Sequence, residues 1–274
     1  VLTTLLALGV LTTQAGRAAK PPSAEDVARA VESIGEAFDA RDVKGIERAL
    51  EAARDVPHAD VVRSVVRGLA DERMEVKLAT LQTLRWIEHP DALDALHRTA
   101  KERGLMKQPE LALAVLRGIG EHAEVRSIPV LGHDPFQPDD AYCVRARLFG
   151  LARIRTLEAL EAVLGILATV GNSGQRLVRS RMGDARIALM LLTGVDQGHS
   201  PELWETWWRE NRKTFRIPTE VPLLPNELLV DWNKFWGLRR PGERRTRRED
   251  RGQDEPSRPG SFKDRRGESV SGPD

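Results

Sequence analysis

Residues 77–96 read KLATLQTLRWIEHPDALDAL, and this stretch decides the fold. Leu81, Leu84 and Ile87 form an i, i+3, i+6 apolar row, which the helical repeat lays along one face. The polar turn EHPD follows, and a second apolar helix begins behind it. The arrangement returns in LALAVLRGIGEHAEVRSIPVL, residues 111–131, with Leu113, Leu116 and Ile119. It returns again in RARLFGLARIRTLEALEAVL, residues 145–164, with Leu148, Leu151 and Ile154. Leu113 lies 32 positions after Leu81, and Leu148 lies 35 after Leu113. A single helical hairpin cannot bury such a face by itself, so the pattern predicts stacked repeats.

Working outward, helical periodicity continues from Ser23 to Phe215, broken at DARD, DVPHAD, EHPD, HDPFQPDD, GNSG and TGVDQGHSP. Ser23 with Asp26 has capping-box spacing, and Asp42 precedes VKGIERALEAA as an N-cap. No run alternates β-branched and polar residues, and no glycine-rich phosphate loop follows an apolar strand, which argues against a nucleotide-binding α/β domain. Composition agrees. The chain has 274 residues, 41% of them apolar but only 5% aromatic, with the Ala, Leu, Arg and Glu richness of helices. Its 42 basic and 41 acidic residues leave a net charge of +1, so no whole-chain field favours nucleic acid or an anionic membrane. Cys143 is the single cysteine, which rules out an intrachain disulfide framework and a thiolate metal cage.

The segment LADERMEVKLATLQTLRWI, residues 69–87, resembles the HEAT-repeat family. Asp71, Val76, Lys77, Ala79, Leu84 and Ile87 match the family pattern, with Lys77 in place of its usual Arg. In the third unit Cys143 takes the slot of Val76, and in the second Gln108 does. The resemblance covers residues 24–215 and implies a right-handed α-solenoid of about four to five helical hairpins, with Asp71 and a basic partner forming a ladder between repeats. The period is shorter than the ~40–47 residues of eukaryotic HEAT units and nearer the compact repeats of bacterial proteins. Residues 188–215, ALMLLTGVDQGHSPELWETWWRENRKTF, look like the closing segment of exported bacterial HEAT-repeat proteins.

At the N-terminus, VLTTLLALGVL is too short to cross a ~30 Å bilayer core as a helix and is followed by small residues around Ala15, Ala18 and Ala19. Residues 1–20 are therefore read as a signal peptide, which places the protein in the periplasm or outside the cell. Residues 21–215 form the solenoid. Residues 216–238 hold a Pro-rich segment and a short amphipathic helix whose stripe is Leu229, Trp232 and Trp236. Residues 239–274 carry almost no apolar side chain and are read as a disordered charged tail.

The expected role is a non-catalytic scaffold that binds another protein, because stacked repeats expose a long surface. Trp204, Trp207 and Trp208 share one helix face after the N-cap Ser200 and Pro201; they either seal the end of the core or form an aromatic site for a partner. Arg239 to Arg251 include seven arginines against Glu243, Glu249 and Asp250, a net +4. Arg244, Arg245, Arg247 and Arg248 are thus candidates for weak contact with polyanions or an anionic membrane surface.

Catalytic chemistry is thinly represented. His58, His89 and His122 recur as HAD, HPD and HAE, but packed helices sit ~8–10 Å apart, too far for successive repeats to share one zinc ion. Capping of helix starts, with Asp60, Asp91 and Glu124 near the positive dipole end, is the expected role. Cys143 near His133, Asp134, Asp139 and Asp140 lacks a recognised nucleophile signature and falls in a core slot. The alternative is an enzyme like the HEAT-like tetrapyrrole lyases, although no residue carries that activity across; no cofactor, metal or catalytic residue is assigned.

Overall fold

The computed structural model describes residues 21–168 and 175–238. Among these the chain forms thirteen α-helices and no strand, so the all-helical class read from composition and periodicity holds. The signal-peptide segment and the Arg-rich tail lie outside the described residues.

The helices alternate between two layers. The first layer comprises α2 (Val43–Ala52), α4 (Met74–Trp86), α7 (Pro109–His122), α9 (Ala141–Ile154) and α11 (Gln175–Thr193), each packed against the next. Behind it lie α1 (Ala24–Ala40), α3 (Ala59–Val66) and α5 (Pro90–Thr99), then α8 (Ile128–Gly132), α10 (Leu157–Ala168) and α12 (Pro201–Asn211). The four-residue α6 (Arg103–Met106) bridges α5 to α7, and α13 (Asn226–Trp236) ends the described chain. First-layer helices have neighbours on several sides. Helix α9 accordingly buries Cys143, Val144, Ala146, Arg147, Leu148, Phe149, Gly150, Leu151, Ala152 and Ile154.

The apolar rows sit where periodicity placed them. Leu81, Leu84, Ile87, Leu116, Ile119, Leu148, Leu151 and Ile154 are buried, while Leu113 is half-buried because α7 turns Leu111 and Val115 inward instead. The N-caps hold as well: the Ser23 hydroxyl accepts from the Asp26 amide at 3.1 Å, and Asp42 from the Gly45 amide at 2.9 Å.

One helix end differs from the sequence reading, that of α7 at Ala123. Arg41, Ala123 and Arg155 take the left-handed conformation, with φ of 54°, 52° and 52°, where glycine usually punctuates a helix end. Helix α7 therefore runs through His122, which closes it instead of opening the next helix. Asp71 is also placed differently. It accepts from the Arg73 amide at 2.9 Å and pairs with the Arg73 guanidinium at 2.8 Å, within its own turn. Arg73 is the N-cap of α4, and it reaches back to the Arg41 carbonyl at 2.7 Å.

After α12 the chain crosses to the first layer as a strap, residues 216–225. Pro218, Pro222 and Pro225 deny it a helix, and residues 216–224 make no backbone–backbone hydrogen bond among the described residues. Arg155 holds the strap instead, donating to the Pro218 carbonyl and, at 2.9 Å, to that of Glu220. Helix α13 then lies on the first layer.

Candidate functional site

The site is the face of α4, α7 and α9 that receives α13. Its direction follows from helix geometry, because residues two apart point about 200° apart around the axis. Gly118 of α7 looks at Leu96 of the second layer, so Gly120 looks away from it, toward Trp236. Arg147 of α9 likewise donates to the Val130 and Leu131 carbonyls of α8, while Phe149 looks at Trp232 and Phe235. The receiving face is thus the side of the first layer opposite the second.

Glycine makes the floor of this face. A Cβ on Gly120 would stand 2.8 Å from Gly150 Cα and 3.0 Å from the Trp236 ring. The pair lets α7 and α9 approach closely, and the indole occupies the space left over. Trp232 and Trp236 are both buried. Phe149 meets Trp232 at 5.0 Å between ring centroids and Phe235 edge-on at 5.1 Å, the arrangement favoured by the ring quadrupole.

Arginines form the wall. Arg85 is buried in the last turn of α4 and donates to Glu121 Oε2 at 2.6 Å and to the Trp236 carbonyl at 3.0 Å. The latter bond satisfies one of the orphan carbonyls at the C-terminus of α13, where the helix dipole favours a cation. Arg153 pairs with the other Glu121 oxygen at 2.9 Å, and its guanidinium lies 4.7 Å from the Trp236 ring centroid. Arg117 lies 5.4 Å from that of Phe235. Burial pulls the Arg85 guanidinium below the ordinary arginine range, and the Glu121 carboxylate opposes that shift. Three guanidiniums and one carboxylate therefore surround two aromatic rings, as suits a helix with an apolar stripe and a net negative charge.

The sequence-derived candidates fall elsewhere. Trp204 is buried, with its indole N–H donating to the Gly198 carbonyl at 3.1 Å. Trp207 and Trp208 are half-buried and share Phe215 as a ring neighbour, at 5.2 and 6.1 Å. The structure thus brings the three tryptophans together at the end of the second layer, away from the α13 face. Arg244, Arg245, Arg247 and Arg248 lie outside the described residues.

His58 and His89 are helix N-caps, each accepting through Nδ1 from the amide two residues on at 3.2 Å. His122 bonds the Leu84 carbonyl through Nε2 at 3.0 Å, and burial lowers its pKa. Cys143 is buried 3.6 Å from the Pro109 carbonyl, and burial, with Asp140 as a lesser cause, pushes its thiol up to about 12. A thiol in that state is a poor nucleophile at neutral pH. No cluster of three or more His, Cys, Asp or Glu suited to a metal ion occurs among the described residues. No helix among them is long and apolar enough to cross a membrane.

Comparison with protein-family models and with curated proteins gives no match.

Sequence reasoning missed Arg85, Glu121, Arg153 and the Gly120–Gly150 contact. A partial signal was present: Arg85 and Arg117 follow equivalent leucines, Leu84 and Leu116, and two glycines interrupt α7, where each costs about 1 kcal/mol against alanine.

Proposed function

We propose that the chain is a HEAT-like α-solenoid acting as a non-catalytic scaffold that binds another protein in the cell envelope or outside the cell. The observation that carries this reading is α13 itself, seated across α4, α7 and α9 with its terminal carbonyl held by Arg85. A layer of helices whose free side already accepts an amphipathic helix has the shape and chemistry for protein recognition. Serial packing of α2, α4, α7, α9 and α11 supports the repeat architecture, because each element of a repeat protein contacts chiefly its neighbours. Export rests on the apolar segment at residues 1–11.

Site-specific photo-crosslinking in intact cells tests the reading. A photoreactive side chain replaces Trp86, which is 38% exposed in the last turn of α4 beside Arg85, or Leu203, which is 54% exposed on α12. Adducts with a protein at position 86 and not at 203 are expected. Adducts at 203 alone, or at neither, would remove the binding role from this face.

A further inference from the structure

We propose that α13 is a displaceable occupant of the α4–α7–α9 face, and that the partner displacing it presents a net-negative amphipathic helix with an aromatic pair at i and i+4. The proposal rests on the scaffold reading above and names its ligand and its regulation.

Four observations carry it. First, α13 hangs on the strap of residues 216–225, which among the described residues makes no backbone ladder with the layers and is held to them by the Arg155 bonds to Pro218 and Glu220 and by the packing of Ile217, Val221 and Leu224. Such an element can leave without unravelling a helix. Second, the ion pairs of the face do not involve it. Glu121 pairs with Arg85 and Arg153 inside the face, so departure of α13 removes one carbonyl from Arg85 and leaves both ion pairs standing.

Third, the cis helix fits imperfectly. The Trp236 indole N–H is buried with no acceptor among the described residues, a defect that a helix with an acceptor there would avoid. Fourth, charges match. Helix α13 carries Glu227 and Asp231 against Lys234, a net −1, and faces Arg85, Arg117 and Arg153 against Glu121, a net +2. Glu227 also acts on Arg186 of α11. A competing helix needs the same pattern: rings at the positions of Trp232 and Trp236, and acids on its flank.

The tether supplies the regulation. A helix joined by a short linker competes at an effective concentration on the order of millimolar, so only a well-matched partner opens the face.

The full chain is tested with a labelled synthetic peptide of residues 222–238, read by fluorescence anisotropy. Wild type is compared with Trp232→Ala/Trp236→Ala, which weakens the cis helix and leaves the receiving face untouched. The variant should bind the peptide at least about tenfold more tightly than wild type, and Glu227→Gln/Asp231→Asn in the peptide should weaken that binding at low salt. Equal binding by both chains, or no binding by a variant that keeps its helical circular dichroism, overturns the proposal. Hydrogen exchange on the wild type gives an independent reading: amides of α13 should exchange on the order of a hundredfold faster than those of α7. If α13 and α7 exchange together, α13 is a fixed part of the core and the proposal fails, while position-86 crosslinks would still stand. A wild-type dimer with exchanged α13 helices would also overturn it, in favour of a second copy as occupant.

Discussion

Arg85 and Trp236 lie 151 positions apart in the chain, yet the Arg85 guanidinium donates a 3.0 Å hydrogen bond to the Trp236 carbonyl. The same guanidinium holds Glu121, so one buried cation joins α4 to α7 and to the end of α13. A buried charge is tolerated only when its donors are used, and here the partners come from two other elements.

Arg85→Ala should therefore be costly. Removing one member of a buried ion pair costs about 3–5 kcal/mol, to be read from urea unfolding of the full chain. Arg153 stays on Glu121 and softens the loss, so Arg85→Ala/Glu121→Ala should cost less than the sum of the single changes. Strict additivity would show that the pair is not coupled.

Gly120→Ala should destabilise the chain by about 1–3 kcal/mol, as overpacking does, because its methyl would stand 2.8 Å from the Gly150 backbone. The backbone contact leaves no flexible side chain to move aside. Gly35, inside α1, has nothing within 4 Å of an added methyl, and Gly35→Ala should instead stabilise by roughly 0.5–1 kcal/mol. Opposite signs in thermal unfolding are the expected result; a loss at both sites would disprove the packing account.

Much of the fold was legible because helices announce themselves locally. Leu81, Leu84 and Ile87 recur at helical spacing, Ser23 and Asp42 cap within three residues, and the stripe of Trp232 and Trp236 marks α13. What stayed hidden is non-local. Nothing next to Arg85 in sequence reveals that its partners are Glu121 and Trp236, or that Gly150 is the neighbour that makes Gly120 necessary. The end of α7 was misplaced because Ala123 adopts left-handed backbone without glycine, as Arg155 does at the end of α9, at a cost of roughly 1–2 kcal/mol each that tertiary contacts offset. Arg155 makes its offset visible through bonds to Leu191, Pro218 and Glu220.

Cys143 gives a pH prediction. Its thiol stands at about 12 against an ordinary 9.0, so above pH 9 the unfolded chain releases a proton that the folded chain keeps. The contribution is fully present below pH 9 and is lost as pH rises from 9 toward 12. Wild type should exceed Cys143→Ala in stability at about pH 8, with the gap narrowing by about pH 10.5. A gap independent of pH would mean that Cys143 ionises freely in the folded state.

The tryptophans of α12 offer the sharpest contrast between a core and a surface role. Trp204 is fully buried and spends its N–H on Gly198, so Trp204→Ala should cost about 3–5 kcal/mol, as emptying an aromatic core site does. Trp208 is half-buried, and its ring contacts are Trp207 and Phe215, each 6.1 Å away, so Trp208→Ala should cost about 1 kcal/mol. That difference makes Trp208 the residue at which partner binding by α12 can be tested without unfolding the chain. Because the proposed receiving face surrounds Trp236, Trp208→Ala should leave the crosslink formed at position 86 undiminished, whereas Arg153→Ala, which strips a guanidinium from that face, should reduce it. Loss of the crosslink on Trp208→Ala, with stability retained, would move the binding surface to the end of the second layer.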